Sequence, residues 1–195
     1  MYHLYHTEAF VLSSADIGEG NKSFTLFTRD LGLLSASATS VREERSKLRF
    51  ALQDLSLAEL TLVRGRTAWR VTNAAYIDNV RSAFCRRESE ARLFARIFRV
   101  LRRLLAGEEK NEQLFLSVKE AFNFLRSHTG KAAAEAEVVL VLRILFLLGY
   151  LAPRGEFEHV LCDVALWNDA LLSDARAFRS LALQDINHSL QQAQL

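Results

Sequence analysis

A polar loop with two glycines, Asp16-Ile-Gly-Glu-Gly-Asn-Lys22, separates two runs that are rich in β-branched and aromatic residues. Such residues favour strands, and short strands with frequent turn residues between them indicate a small barrel or sandwich. The predicted strands cover residues 9–12, 23–28, 33–38, 55–63 and 67–76. Five short strands in one stretch are typical of a closed barrel of the OB type, whose loops and open face commonly bind oligonucleotides.

The rest of the chain has helical periodicity. Apolar residues at three- and four-residue intervals predict an amphipathic helix over residues 82–107, followed by helices over 111–127, 132–150, 163–170 and 174–192. The expected fold class is therefore α+β, with a five-stranded OB-fold barrel followed by an all-α helical domain. The predicted domain ranges are residues 1–80 for the barrel and 81–195 for the helices.

Positive charge is concentrated at the start of the helical half. Residues 1–80 carry nine basic and nine acidic side chains, whereas residues 81–105 carry eight arginines and two glutamates. Four of these arginines align on the face opposite the apolar one: Arg92, Arg96, Arg99 and Arg103. This arginine stripe is either a solvated face or a surface that binds DNA or an acidic partner.

In the barrel half, basic residues cluster in the loop after the third strand and around the hairpin that joins the last two strands. Cations in such places can contact phosphates without reading base sequence. The candidate DNA-binding residues are Lys22, Arg42, Arg45, Lys47, Arg49, Arg64, Arg66 and Arg70. The alternative is a solvated loop with internal ion pairs, in which Glu43 and Glu44 take part. Gly65 is the expected hairpin tip, where glycine would supply a positive φ.

Four aromatic residues of the barrel have two possible roles. Stacking on bases tolerates any sequence, so exposed rings could hold a single strand. A barrel this small also needs large side chains in its core. The residues concerned are Phe24, Phe27, Trp69 and Tyr76.

No motif in the sequence indicates catalysis, a cofactor or a metal. The five histidines form no cluster with metal-ligand spacing, and the nucleophile-elbow, phosphate-loop and dinucleotide patterns are missing. Cys85 and Cys162 are far apart, which favours two reduced thiols. The most apolar run, residues 138–148, is too short to span a bilayer and contains Arg143. With no recognisable signal peptide, we expect a cytoplasmic non-enzyme that has no membrane partner.

Several segments resemble the RecO family of recombination mediators. The N-terminal resemblance lies in Thr7-Glu-Ala-Phe-Val-Leu12, Gly18-Glu19, Lys22-Ser-Phe-Thr-Leu-Phe-Thr28, Gly32, Ser46-Lys-Leu-Arg49, Leu52-Gln53, Glu59-Leu60 and Arg64-Gly-Arg66. A looser one lies in Asn111-Glu-Gln-Leu-Phe115 and in Arg143-Ile-Leu-Phe-Leu-Leu-Gly-Tyr150 followed by Pro153.

The resemblance implies an OB-fold followed by a helical domain, and a role in DNA repair. It implies binding to single- and double-stranded DNA, annealing of complementary strands, and loading of RecA onto strands coated with single-stranded DNA-binding protein (SSB). RecR and the acidic C-terminal tail of SSB would be the partners, in the bacterial cytoplasm near the nucleoid. The alternative is a RecO-like protein-interaction module with weak or no DNA binding.

The sequence departs from the family pattern in three places. It reads Ala38-Thr-Ser-Val-Arg42 where the family usually reads Ala-Lys-Gly-Ala-Arg, and two glutamates then dilute the basic loop. Only Cys162 lies where many members carry a four-cysteine zinc site, so we expect no zinc here. The chain is also short for the family, so some partner surface is expected to be missing.

Overall fold

The computed structural model describes residues 3–128, 130 and 132–192. It comprises two compact units. One unit, called the barrel unit here, contains the residues up to Cys85 together with Leu105–Glu112; the other, the helical unit, contains Arg86–Leu104 and the residues from Gln113 onward. The predicted domain ranges stay predictions, because a compact unit is not by itself shown to fold independently.

The barrel unit is a closed five-stranded barrel in which the strands follow the order β1-β2-β3-β5-β4. The strands are β1 (Leu4–Ile17), β2 (Asn21–Thr28), β3 (Gly32–Ala38), β4 (Ser56–Arg64) and β5 (Trp69–Asn79), with short helices α1 (Leu48–Ala51) and α2 (Val80–Ala83). Neighbouring strands are antiparallel except β3 and β5, which are parallel. The predicted α+β fold, an N-terminal OB-fold barrel followed by helices, is confirmed.

Strand β1 is long because it forms part of two pairings. Its first half pairs with β4 and its second half with β2, and the register shifts between Val11 and Ser13. Such an irregularity bends a strand and increases its twist, which helps to close a sheet into a barrel. The predicted strand, residues 9–12, is only the apolar middle of β1, because polar residues at both ends of the strand look like turn residues.

The barrel core is built by alternation. Phe24 and Leu26 of β2 and Leu60 and Leu62 of β4 are fully buried. The alternate residues of β4, Glu59 and Thr61, are exposed and half-buried, respectively. Phe27 is also fully buried and Trp69 is 4% exposed. Three of the four aromatic residues that could have stacked on bases therefore belong to the core.

The 105–112 segment approaches the barrel at the turn that opens β3. Gly32 has a φ of +71°, and a Cβ built on it would lie 2.2 Å from the carbonyl oxygen of Glu109. The Leu33 amide donates to the carbonyl of Gly107 at 3.0 Å. Gly32 is therefore required both for its backbone conformation and for the space it leaves.

The hairpin glycine has a different role from the one expected. Gly65 is not among the residues with positive φ, so the sequence prediction on this point was wrong. A Cβ on Gly65 would lie 2.9 Å from the carbonyl oxygen of Ala68, to which the Gly65 amide donates. Close approach of the backbone, rather than positive φ, is why glycine suits this turn.

The remaining helices are α3 (Glu88–Leu104), α4 (Glu112–Ser127), α5 (Ala133–Leu147), α6 (Glu158–Cys162) and α7 (Asp169–Gln192). The predicted helix over residues 82–107 is instead two helices, α2 and α3. Asn79 caps α2 by accepting from the Arg81 amide at 2.8 Å, and Phe84 ends it in a non-helical conformation. The side chain of Phe84 is buried, so packing of the ring accompanies the break.

The predicted helix over residues 163–170 is wrong, and Arg143 accounts for the difference. This fully buried residue of α5 donates to the carbonyls of Val160, Asp163, Val164 and Leu166 at 2.9–3.0 Å. Carbonyls that face the guanidinium are not available for a helical ladder. Burial lowers the pKa of Arg143 to about 10, so the side chain remains protonated at neutral pH.

Gly32→Ala should destabilise the barrel unit more than Gly18→Ala. Both glycines have positive φ, which costs alanine about 1 kcal/mol at either position. Only Gly32 also faces a clash, since a Cβ at Gly18 meets nothing within 4 Å. Overpacking should add about 1–3 kcal/mol to the Gly32 loss. Urea denaturation measures both variants, and equal losses would contradict the close approach of residue 109.

Arg143→Met should destabilise the helical unit by about 3 kcal/mol, because it leaves four carbonyls, one of them in a fully buried hydrogen bond, without their donor. Arg143→Lys should recover only part of this loss, since one ammonium group lacks the planar fork that reaches all four acceptors. Fluorescence of Trp167, whose ring centroid lies 4.9 Å from the guanidinium, follows the unfolding. Arg102→Met removes an exposed arginine as the matched control, and a midpoint shift no larger than the control's would refute this role.

Candidate nucleic-acid interface

Three of the predicted DNA-binding residues meet in one cleft of the barrel unit. Lys22, Arg42 and Arg49 line a cavity of about 510 Å³ together with Ser14, Asp16, Val41, Leu52, Gln53 and Asp54. They come from β2, from the loop after β3 and from α1, which are separate in sequence. We call this cavity the mouth cleft.

The strand register explains why the mouth cleft is the open end of the barrel. Ser14 pairs with Phe24, whose ring is fully buried, and Asp16 pairs with Lys22. Side chains two residues apart on a strand point to the same face. Asp16 and Lys22 therefore continue the row of inward-pointing side chains beyond the apolar core, to the end of the barrel where the mouth cleft lies.

Acidic side chains inside the mouth cleft offset much of its positive charge. The Asp16 carboxylate lies 3.5 Å from the ammonium of Lys22 and 3.5 Å from the guanidinium of Arg42. Asp54 also lines the cleft. The three cations thus face two carboxylates, and the remaining field is positive but weak.

The loop after β3 is held to the loop between β1 and β2. The Ser40 amide donates to Asn21 Oδ1 at 3.1 Å, and the Arg42 amide donates to the carbonyl of Gly20 at 3.2 Å. Ser40 has a φ of 55°, in the left-handed region. These contacts place Arg42 at the mouth cleft by its backbone as well as by its ion pair.

Arg45 and Lys47 lie on the same loop but outside the lining of the mouth cleft, and both are exposed. In the part of the chain that the structure describes, no ion pair joins Glu43 or Glu44 to a basic residue of the loop. The expected alternative of internal ion pairs within the loop is therefore not what the structure shows. Instead, Arg42 of this loop forms an ion pair with Asp16 of β1.

A second cleft lies at the hairpin between β4 and β5. Its volume is about 380 Å³, and it is lined by Ser37, Val63, Gly65, Arg66, Thr67, Ala68, Trp69, Arg70 and Thr72. Arg66 and Arg70 are exposed there. Ser37 pairs with Arg70, and the next residue, Ala38, pairs with Lys22 of the mouth cleft. The end of β3 thus lies between the two clefts.

Arg64 is engaged by the 105–112 segment. Its guanidinium lies 3.5 Å from the Glu108 carboxylate and 5.4 Å from the centroid of the Trp69 ring. Trp69 Nε1–H donates to the same carboxylate at 2.8 Å. Glu108 therefore satisfies both side chains and neutralises one of the eight predicted cations.

At the far end of β2, a separate ion-pair group joins Arg29 to Glu112. Arg29 Nη2 lies 2.7 Å from Glu112 Oε1, and Lys110 Nζ lies 3.1 Å from Glu112 Oε2. Hydrogen bonds from Arg29 and then Lys110 hold the pKa of Glu112 below its ordinary value. Arg29 was not predicted to bind DNA, and its pairing leaves it little free charge.

The arginine stripe of the helical unit divides into paired and exposed members. Arg92 pairs with Glu88, and Arg96 makes a two-point contact with Glu137 that raises the pKa of Arg96. Arg99 and Arg103 are exposed and lie in none of the ion pairs found among the described residues. Half of the stripe is therefore open to an anionic partner.

Other expectations concern metals, thiols and membranes. Among residues 3–128, 130 and 132–192, no three His, Cys, Asp or Glu side chains are grouped so as to hold a metal ion. Cys85 and Cys162 are both exposed and unpaired. In that same described part of the chain, no helix is both long and apolar enough to cross a membrane.

Sequence reasoning missed the acids that partner the predicted cations. Asp16 and Lys22 flank the first loop, so a hairpin register would have shown that they face each other. Glu108 gave no such signal, because 44 positions separate it from Arg64 and nothing local relates them.

The fold and its grouped cations define an OB-type barrel protein with a second, helical unit. Residues 1–80 match the family model described as Recombination protein O N terminal. The barrel thus matches the N-terminal domain of the RecO family, as the sequence resemblance indicated.

Curated relatives agree with this assignment. The DNA repair protein RecO of Pelotomaculum thermopropionicum is 31% identical over 164 residues, which cover 84% of this chain and 61% of the relative. That of Heliobacterium modesticaldum is 31% identical over 153 residues, covering 75% and 52%. That of Caldanaerobacter subterraneus subsp. tengcongensis is 28% identical over 151 residues, covering 74% and 58%. The chain thus spans between half and two thirds of the length of these relatives.

Proposed function

We propose that this protein is a recombination mediator in DNA repair that binds DNA through its barrel without base specificity. It holds single- and double-stranded DNA, anneals complementary strands and helps to load RecA onto strands coated with SSB. The observation that supports this most is the convergence of Lys22, Arg42 and Arg49 at the mouth cleft. Cations gathered from separate elements onto one concave surface are suited to a phosphate backbone.

The proposed mechanism needs no covalent step, and we propose no enzymatic activity and no cofactor. Two strands repel each other through their phosphates, and cations that neutralise those phosphates lower the cost of bringing the strands together. The Asp16 carboxylate holds Lys22 and Arg42 in place before DNA arrives. A phosphate then competes with Asp16 for the same donors. Binding is therefore moderate and reversible, as a protein that transfers strands requires.

The predicted DNA contacts differ in how available they are. Arg49, Arg66 and Arg70 are exposed side chains that line the two clefts, and Arg45 and Lys47 extend the path along the loop. Lys22 and Arg42 have a competitor in Asp16, and Arg64 has one in Glu108. We expect the first five to contribute most to affinity.

The arginine stripe of α3 is proposed as a second anionic site. Arg99 and Arg103 would carry it, since Arg92 and Arg96 already have carboxylate partners. The family resemblance makes the acidic C-terminal tail of SSB the expected ligand and RecR a further partner. DNA is the competing ligand for the same charges.

A protein-interaction module with weak or no DNA binding is the second candidate. One observation favours it: acids of the barrel unit already pair with Lys22, Arg42 and Arg64. Salt dependence separates the two candidates, because binding through several phosphates weakens steeply as salt rises.

Replacing Arg42 and Arg49 together by glutamine should weaken binding to a single-stranded thirty-mer. The slope of log affinity against log salt should become shallower by about 1.4, at about 0.7 per lost phosphate contact. Arg29→Gln is the matched control for removing a charge, since Arg29 follows the opposite end of β2 and pairs with Glu112. Fluorescence anisotropy over a salt series measures all three proteins.

Asp16→Asn provides the opposite test, because it removes the competitor of Lys22 and Arg42. Affinity should rise about two- to fivefold, a gain that misfolding would not produce. The mouth cleft is ruled out as the binding surface if the Arg42 and Arg49 replacements have no more effect than Arg29→Gln. Absence of any binding at low salt would instead support the protein-interaction module.

Reversing the charge of Arg99 and Arg103 to glutamate should weaken binding of an acidic SSB-tail peptide on the order of tenfold. Arg102→Glu is the matched control, because that exposed arginine points about 100° away from Arg103 on the same helix. Titration calorimetry with the peptide and anisotropy with DNA distinguish the two ligands. Unchanged binding of both would make the stripe a solvated face.

A further inference from the structure

Two aromatic side chains of the barrel unit remain exposed and touch each other. Phe50 of α1 is 59% exposed and Tyr76 of β5 is 37% exposed. Their ring centroids lie 4.6 Å apart with an interplanar angle of 46°. The Tyr76 hydroxyl lies 3.3 Å from that of Ser82, which ties the polar end of the ring to α2. An aromatic pair of this kind is pre-formed and in contact with water.

This aromatic pair borders the mouth cleft. Arg49 precedes Phe50 directly and lines the cleft, as does Gln53, three positions after Phe50. On the other side of the pair, Asn79 at the end of β5, the strand that carries Tyr76, donates from its side chain to the carbonyl of Asp54, which also lines the cleft, at 3.1 Å. A ligand held by Arg49 therefore has an exposed ring within its reach.

The outer face of β2 and β3 offers no such ring. That face commonly binds oligonucleotides in OB-folds, often together with the adjoining loops. Its exposed or half-buried side chains are aliphatic or carry hydroxyls: Leu33, Ser23, Thr25, Ser35 and Ser37. The large aromatic rings of β2, Phe24 and Phe27, are fully buried. A base bound to this barrel has its exposed aromatic surface on α1 and β5 instead.

We propose that Phe50 and Tyr76 form a stacking platform for an unpaired base of a single strand whose phosphates lie in the mouth cleft. This inference rests on the proposed DNA binding and adds its selectivity. Every base has a π-face, so stacking needs no particular sequence. In a duplex the bases are already stacked and paired, so the platform favours single strands over double strands. Arg49 holds the backbone, and Phe50 receives the base.

The test compares Phe50→Leu with Phe50→Trp. Leucine keeps much of the apolar side chain but removes the π-face, whereas tryptophan keeps a ring. We expect Phe50→Leu to weaken binding of a single-stranded thymidine thirty-mer about 5- to 100-fold. Affinity for a duplex of the same length and the salt slope should stay unchanged, because no phosphate contact is lost. Phe50→Trp should keep the affinity of the unaltered protein, and the fluorescence of the introduced tryptophan should be quenched by the bound strand.

The possible outcomes separate this inference from the proposed function. If the Arg42 and Arg49 replacements weaken binding but Phe50→Leu does not, the platform is wrong and the DNA-binding barrel stands. If Phe50→Leu weakens single- and double-stranded binding equally, the ring does not contact an unpaired base and the platform is also wrong. If the unaltered protein binds neither DNA, both proposals fail, and the exposed pair is left as a surface for a protein partner.

Discussion

The candidate interface depends on how the barrel closes. Strands β3 and β5 meet through two residue pairs, Ala36 with Trp69 and Ser37 with Arg70, whereas the antiparallel pairings are much longer. This short parallel contact brings the β4–β5 hairpin beside the end of β3, from which the basic loop begins. Trp69, whose backbone forms one of these two pairs, donates its Nε1–H to the Glu108 carboxylate. Residues of the 105–112 segment therefore support the geometry of the clefts, although they line neither of them.

In our proposal, the affinity for DNA depends on two opposing effects. The cations of the barrel attract phosphates, and the acids of the barrel compete with the phosphates for the same cations. The barrel half of the sequence has equal numbers of basic and acidic side chains. In the structure, the acids are not spread evenly: Asp16 faces two of the candidate cations, and Glu108 faces a third. Exposed ion pairs of this kind contribute little to stability, so they can exchange partners at small cost. The same acids that position the cations also limit how tightly they can hold a phosphate.

Local pattern predicted the strands and most of the helices, because their apolar residues follow periods that need no tertiary information. It did not predict the break between α2 and α3 or the loss of the helix over residues 163–170. In the second case, the cause is Arg143, more than fifteen residues earlier in the chain, whose donors take the carbonyls that a helix would need. At the candidate site, sequence identified the cations but not their partners. Pairings such as Arg64 with Glu108 arise only when distant segments fold together, and the eight candidate cations stay predictions.

Charge alone does not favour a single strand over a duplex, because both present phosphates and the duplex presents them at the higher density. A mediator that anneals strands has to hold them while they are unpaired and release them once they pair. An exposed ring at the rim of a cationic cleft has this property, since its contact is lost when the base joins a partner strand. The weak net charge of the mouth cleft then becomes an advantage, because a strongly basic cleft would retain the duplex as well. In the mechanism that we propose, the stacking platform and the paired acids would act in the same direction, towards holding single strands and releasing the annealed product.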